Sequence, residues 1–216
     1  MQFLPRAPAE PLDGRVVEAK PHRRSYAPLW ALVAVNVLAF IPTLFAGAWM
    51  NANLGIWWPR VAGGQFWRLG TWMFVHSGFA HLVSNMTALV LLGLVFIRFS
   101  SGGRFLFAYL FSGLIGGLLG MLLSGPGTLI VGASGAVFGI AGALPFVIFR
   151  RRRVPWWVVA IWLAVLILET LAPGVSWQAH LGGFIGGVIA GLILRFFRNQ
   201  NLKESPQQNA RQTEQF

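Results

Sequence analysis

The sequence predicts an all-α, polytopic membrane protein: a bundle of six transmembrane helices with both termini on the cytoplasmic side. Composition is the first observation behind this fold class. Of the 216 residues, 56% are hydrophobic and only 11% are charged, whereas soluble domains carry about 25% charged residues. The other two observations are a series of long apolar segments and the distribution of basic residues around them. Cysteine is absent, which excludes disulfide frameworks, cysteine zinc sites and cysteine nucleophiles.

Six apolar segments are long enough, or nearly so, to cross a hydrocarbon core, which takes about 20 helical residues. They are residues 29–48, 79–99, 105–123, 129–149, 155–171 and 177–197. Such spans form helices, because backbone groups left unpaired in lipid are costly. We therefore predict a single membrane domain over 29–198, a disordered cytoplasmic tail over 1–28 and a disordered polar tail over 199–216.

Residues 49–76 are unlike a span, because Arg60, Arg68, a proline and paired glycines interrupt them. The same segment is rich in tryptophan. Tryptophan suits the headgroup region, where one edge of the ring is hydrated and the rest is apolar. We predict a long first loop in the membrane interface, with short amphipathic helices.

The basic residues predict the orientation. With both termini in the cytoplasm, 15 of the 17 Lys and Arg residues lie on the cytoplasmic side and two lie outside, as the positive-inside rule requires. A net charge of +11 would suggest nucleic-acid binding in a soluble protein. Here the arginine run at 150–153 ends a predicted span, so we expect contact with the lipid bilayer and none with nucleic acid.

Four polar side chains lie in the outer parts of three predicted spans: His81 and Asn85 in the second, Ser134 in the fourth and His180 in the sixth. Polar groups inside spans are expensive, so each needs an explanation. These three spans all begin at the outer face. A rise of about 1.5 Å per residue places Ser134 about 8 Å and His180 about 5 Å below the start of its span. We therefore expect the four groups to converge at a similar depth.

Each of these residues also has an ordinary structural interpretation. A serine in a glycine-rich helix commonly bonds back to its own carbonyls. A membrane histidine is often a structural partner, and an asparagine often joins helices. Taken together, however, a nucleophile, a base and oxyanion donors are what acyl transfer requires. A neutral His180 would accept the proton of Ser134, and the Ser134 N–H with the side chains of His81 and Asn85 would hold an oxyanion.

A carboxylate is not expected to complete a triad. Five of the six acidic residues lie in the terminal tails, and the sixth, Glu169, is near the outer end of the fifth predicted span. We therefore predict a Ser-His dyad.

Glycines follow the candidate residues at helical spacing. They are Gly135, Gly139 and Gly142 in the fourth span and Gly183, Gly187 and Gly191 in the sixth. Small residues let helix backbones approach closely in lipid, so we predict tight packing between these two spans.

The motifs occur in a fixed order: Trp67-Arg68; His76, His81 and Asn85; Gly132-Ala133-Ser134-Gly135; and Ala179-His180-Leu181-Gly182-Gly183 with Gly187. In that order, over about residues 49–191, they resemble the rhomboid family of intramembrane serine proteases. The resemblance implies a six-helix bundle with Ser134 as nucleophile and His180 as general base. It also implies that His81 and Asn85 stabilise the oxyanion.

The resemblance further implies that Gly132 and Gly135 shape the site, and that Trp67 and Arg68 are structural or lipid-facing. Phe138 stands where the family often has a tyrosine packed against the catalytic imidazole, and a phenylalanine can still stack there. The implied substrates are single-span membrane proteins cut near the outer membrane face, with no cofactor and no metal. An Arg/Ser-rich import leader is absent, which favours a bacterial inner membrane.

Three other functions use the same residues. A transporter or channel would also place His, Asn and Ser on glycine-rich helices, but no internal repeat is evident. A rhomboid-like pseudoprotease would bind membrane clients, yet such proteins lack the nucleophile or the base. A zinc site from His76, His81 and His180 would have three imidazole ligands, but the His-Glu-x-x-His pattern is missing. Aspartyl proteolysis is excluded, because Asp13 is the only aspartate.

Overall fold

The structure, a computed structural model, describes residues 24–148, residue 164 and residues 175–213, with side chains up to 197 in the last of these. The fifth predicted span (155–171), the arginine run at 150–153 and nearly all of the predicted N-terminal tail lie outside the described residues.

The described chain is mostly helical. Its helices are α1 (Ala27–Phe40), α2 (Thr43–Leu54), α3 (Trp58–Ala62), α4 (Arg68–Thr71), α5 (Phe79–Phe99), α6 (Gly102–Ser124), α7 (Ser134–Ile148) and α8 (Trp177–Thr213). A 3-10 turn covers Trp72–Phe74. Strands β1 (Ile56–Trp57) and β2 (Leu129–Ile130) pair antiparallel, with Ile56 opposite Ile130.

Three of the described helices are long and apolar enough to cross a membrane: α5, α6 and the part of α8 over Trp177–Phe197. A fourth crossing results if α1 and α2 count as one bent span. The protein is therefore an integral, multi-pass membrane protein. The bounds of α5 are the predicted ones, and α6 extends the predicted third span by three residues at its start and by one at its end.

The first predicted span is wrong as a single straight helix. The chain bends by 102° between α1 and α2, where Pro42 directly precedes α2. Proline removes a backbone donor and clashes with the preceding turn, so a helix breaks or kinks there. The apolar run continues across this break, which is why hydropathy alone did not reveal it.

The fourth predicted span starts too early. Residues 129–133 are not helical: Leu129 and Ile130 form β2, and Gly132 has a φ of 121°. This left-handed conformation is accessible to glycine at little cost. Ser134 is consequently the first residue of α7 and not, as the predicted span implied, a residue more than one turn inside a helix.

The last helix continues beyond the predicted end of the membrane domain. Helix α8 extends to Thr213, whereas we expected a disordered tail from residue 199.

Glycines form the contact between α7 and α8. A Cβ placed on Gly183 would overlap the carbonyl oxygen of Gly135, and one on Gly187 would overlap that of Gly139. The two backbones therefore touch, which only hydrogen in place of a side chain allows. Helix α6 joins the same core, because a Cβ on Gly116 would lie 3.0 Å from the carbonyl oxygen of Ala179.

Trp72 lies inside the protein, whereas we expected the tryptophans of the first loop to face the headgroup region. Its ring is fully buried. A Cβ on Gly117 of α6 or on Gly135 of α7 would come within 2.7 Å of it. The 3-10 turn thus inserts an aromatic side chain between two helices, and this places the end of the first loop against the start of α7.

Arg68 has a structural role, as the sequence resemblance implied. Its side chain is only 1% exposed; Nη1 donates to the carbonyl of Gly55 at 2.6 Å and Nε donates to Oε1 of Gln65 at 2.8 Å. The sequence holds no acidic residue between Glu18 and Glu169. Neutral oxygens therefore satisfy this guanidinium and tie the first loop together, while the adjacent Trp67 is 53% exposed.

Gly187→Ala is expected to destabilise the protein by about 2 kcal/mol, because overpacking a tight contact costs about 1–3 kcal/mol. Gly103→Ala is the matched control: Gly103 is also helical, but open space surrounds the position of its Cβ. Alanine is the better helix former, so this control should unfold at the same or a slightly higher temperature. Thermal unfolding in detergent measures both, and equal melting temperatures would contradict the packing described for α7 and α8.

Candidate active site

Ser134 is held at the amino terminus of α7 by contacts from the end of the first loop. The N–H of Gly132 donates to the carbonyl of Trp72 at 2.9 Å. The N–H of Ala133 donates to Nε2 of His76 at 3.5 Å. Ser134 itself is half-buried. The two residues before the serine are thus anchored through their backbone, and the serine stays accessible.

Gly132 creates the space in which His81 approaches Ser134. A Cβ at this position would lie 2.7 Å from both Cε1 and Nε2 of His81, and 3.7 Å from Oγ of Ser134. Any side chain would therefore collide with the imidazole, in addition to the strain imposed by a positive φ. The Cε1–Nε2 edge of the imidazole and the serine hydroxyl consequently border the same small volume.

His81 has partners on its other side as well. The hydroxyl oxygen of Ser77 lies 3.0 Å from Nδ1 of His81. The ring of His76 meets that of His81 edge-on, with centroids 5.1 Å apart and an interplanar angle of 70°. The imidazole predicted to stabilise an oxyanion is therefore contacted by two residues of the loop just before α5.

Asn85 lies one turn further along α5, and its side chain is buried. Its amide nitrogen donates to the carbonyl of His81 at 2.8 Å. In the structure the amide thus bonds to its own helix. An NH₂ group has two hydrogens, so this bond leaves Asn85 a second donor.

His180 lies in the first turn of α8, against α7. The ring of Phe138 stacks on the His180 imidazole, with centroids 3.9 Å apart and an interplanar angle of 21°. Phe138 is one turn after Ser134, and residues four apart share a helix face. A Cβ on Gly135 would lie 3.2 Å from the carbonyl oxygen of Ala179. The residues next to Ser134 and His180 are thus in contact, and this brings both candidates to one end of the α7–α8 interface.

His76 is a site residue to which sequence reasoning gave no individual role. It is fully buried, although it lies outside the helices. Burial first, and the nearby charge of His81 second, lower the pKa of His76 to about 4, with the neighbouring Phe74 backbone acting in the opposite direction. His76 is therefore neutral near pH 7, which leaves Nε2 able to accept the Ala133 N–H.

The histidine spacing in the sequence indicated His76, whereas no sequence motif indicated Ser77. Within the part of the chain that the structure describes, no group of three or more His, Asp or Glu side chains is arranged to hold a metal ion. The zinc alternative considered for His76, His81 and His180 therefore has no geometric support.

Comparisons with known proteins match most of this region. A family profile described as a Rhomboid domain matches residues 63–197. The chain is 30% identical over 173 residues to the putative rhomboid protease YdcA of Bacillus subtilis strain 168, covering 76% of this chain and 84% of that protein. It is 35% identical over 139 residues to the rhomboid protease GluP of the same strain, covering 62% of this chain and 27% of GluP.

A plant protein is similar to a comparable extent. RHOMBOID-like protein 4 of Arabidopsis thaliana is 36% identical over 140 residues, which cover 62% of this chain and 35% of that protein. The chain therefore spans most of the length of YdcA, but about a quarter of GluP and about a third of the plant protein.

His76 is expected to make stability fall in acid. Its pKa is about 4 when folded and 6.5 when exposed, so between these values the unfolded chain binds a proton that the folded chain does not. Stability is then lost as the pH falls from about 6.5 towards 4, by about 2 kcal/mol near pH 5. Thermal unfolding of wild type and His76→Gln at about pH 7 and about pH 5 measures this. The variant should lose less stability, and an identical loss would contradict the role of His76.

Proposed function

The chain belongs to the rhomboid family, and we propose that it is an intramembrane serine endopeptidase in which Ser134 and His180 form a catalytic dyad. Its substrates are membrane proteins with a single span, cut in or near that span close to the outer membrane face. Relatives of this family that are named as proteases support a protease in general. The dyad, the substrate class and the membrane face are our inference.

One juxtaposition carries the proposal. The hydroxyl of the half-buried Ser134 borders the imidazole edge of His81, and Phe138, one turn further along α7, stacks on the imidazole of His180. A nucleophile requires a base within reach and donors on the other side of the reacting carbonyl. We assign the first role to His180 and the second to His81.

The reaction follows from these positions. His180 takes the proton of the Ser134 hydroxyl as Oγ attacks the scissile carbonyl carbon, and the carbonyl oxygen becomes an oxyanion. His180 then donates that proton to the leaving amine nitrogen as the C–N bond breaks, which leaves an acyl ester on Ser134. Water attacks the ester by the same route in reverse: its proton passes to His180 and then returns to Oγ as the acid product leaves.

The oxyanion would be held at the amino terminus of α7. The N–H groups of Gly132 and Ala133 already have acceptors. The N–H of Ser134 belongs to the first turn, which a helix leaves unpaired internally. Together with Nε2 of His81 it provides two donors, and the positive end of the helix dipole adds to them. Phe138 keeps the His180 ring in a fixed plane by stacking.

The membrane arrangement is part of the same proposal. Six spans with both termini in the cytoplasm place the starts of α5, α7 and α8, and with them the candidate site, near the outer face. The basic residues support this orientation. Exposed aromatic rings of the first loop, among them Phe66 and Trp67, support an interfacial position. The membrane is the inner membrane of a bacterium.

Fluorophosphonate labelling tests the dyad without a known substrate. The purified protein in detergent should be labelled, and Ser134→Ala and His180→Ala should each reduce labelling and cleavage of a single-span substrate by at least about a thousandfold. Ser84→Ala is the matched control, because Ser84 is an exposed serine on α5 that bonds only to a backbone carbonyl. Its labelling should equal that of wild type.

Two outcomes would contradict the dyad. One is labelling of folded Ser134→Ala or His180→Ala at the level of wild type. The other is the absence of labelling in a folded wild type under conditions in which a known rhomboid protease is labelled, which would favour a binding role.

The topology has its own test. A reporter fused after Asn199 is expected to read as cytoplasmic, because an even number of spans returns the chain to the side of the amino terminus. A second fusion at Gly64 in the first loop should read as external. An external signal from the fusion at Asn199 would overturn the six-span count.

A further inference from the structure

We propose that Ser77 is a positioning residue for the oxyanion site. Its hydroxyl donates to Nδ1 of His81 and fixes the imidazole tautomer in which Nε2 carries the proton and faces Ser134. The inference rests on the proposed function, since a fixed donor at Nε2 matters only where negative charge develops on a substrate oxygen.

The two nitrogens of His81 have different surroundings. Nδ1 lies 3.0 Å from Oγ of Ser77, while Nε2 and Cε1 border the space above Gly132, next to the Ser134 hydroxyl. A neutral imidazole has one proton, so the nitrogen that accepts a hydrogen bond leaves the other one as the donor. When the serine hydroxyl donates to Nδ1, the single ring proton is therefore carried by Nε2.

The neighbouring backbone explains why this tautomer matters. The N–H groups of Gly132 and Ala133 are occupied by the Trp72 carbonyl and by His76. That leaves the Ser134 N–H, the His81 side chain and the second amide hydrogen of Asn85 as candidate donors to a tetrahedral oxyanion. A lone pair on Nε2 would repel that oxyanion, whereas an N–H donor aimed at it in advance stabilises the transition state.

The His81 imidazole is also held in place by its neighbours. Its tautomer therefore decides whether Nε2 presents a proton or a lone pair to a substrate oxygen. The His76 ring packs edge-on against the His81 ring. On the other side, the His81 ring occupies the space that a Cβ on residue 132 would fill. Ser77 is exposed and lies just before α5, one helical turn from His81. Its substitution therefore removes a hydroxyl without opening a cavity in the core.

Nitrogen NMR of the full chain tests the tautomer directly. The chain has four histidines, and selective labelling of histidine with nitrogen-15 gives few signals, of which a His81→Gln variant identifies those of His81. The wild type should show a protonated Nε2 and an unprotonated Nδ1. Ser77→Ala should shift the ring towards a mixture of tautomers, while Ser77→Thr, which keeps the hydroxyl, should retain the wild-type pattern.

Ser84→Ala is the matched control, because the Ser84 hydroxyl donates to the backbone carbonyl of His81 and not to its ring. Its spectrum should be that of wild type. A protonated Nδ1 in wild type, or an unchanged His81 pattern in Ser77→Ala, would overturn the proposal. The wild-type spectrum alone shows which nitrogen of His81 carries the proton, even if Ser77→Ala does not fold.

Kinetics gives a second readout. Ser77→Ala should lower kcat by about two- to tenfold, the effect of weakening one hydrogen bond, with KM unchanged, and Ser77→Thr should restore kcat. An unchanged kcat in folded Ser77→Ala would contradict the role of Ser77. If the wild type has no protease activity, the proposed function fails, and the NMR pattern still decides whether Ser77 sets the tautomer of His81.

Discussion

The direct contact between the backbones of α7 and α8 is the constraint on which the candidate site depends. Gly135 lies against Gly183 and Gly139 against Gly187, with no room for a Cβ on α8. Ser134 directly precedes the first pair on α7, and His180 is three residues before it on α8. A Cβ at Gly183 or Gly187 would overlap a carbonyl oxygen of α7, so a side chain there would force the two helices apart.

The end of the first loop supplies the other half of the site. Trp72 inserts its ring between α6 and α7, and its carbonyl accepts the Gly132 N–H. His76, four residues on, accepts the next N–H. These contacts hold the turn before α7 in a conformation that needs glycine at 132. The loop therefore positions the residues just before Ser134, while α8 packs against the glycines that follow it.

Neutral groups carry out most of this positioning. The described residues between Arg24 and Ile148 contain no carboxylate, so the side-chain hydrogen bonds around the candidate site have carbonyl oxygens, hydroxyls and imidazoles as partners. Arg68 follows the same rule, with a backbone carbonyl and an amide oxygen as acceptors. Burial also keeps His76 neutral at ordinary pH. Since a buried charge without a partner is costly, neutral pairs suit a protein surrounded by lipid.

The sequence by itself determined the membrane character, the bounds of α5, the glycine strips and the candidate residues Ser134 and His180, because these depend on hydropathy and on helical spacing. The bend at Pro42, the turn at Gly132 and the burial of Trp72 were decided only by the tertiary structure. Ala133 and His76 are 57 residues apart in the chain and bonded in the fold, and no local pattern encodes such a pair. The role inferred for Ser77 likewise depends on the tertiary structure. Packing places the Nε2 edge of His81 next to Ser134 and leaves Nδ1 in contact with the Ser77 hydroxyl.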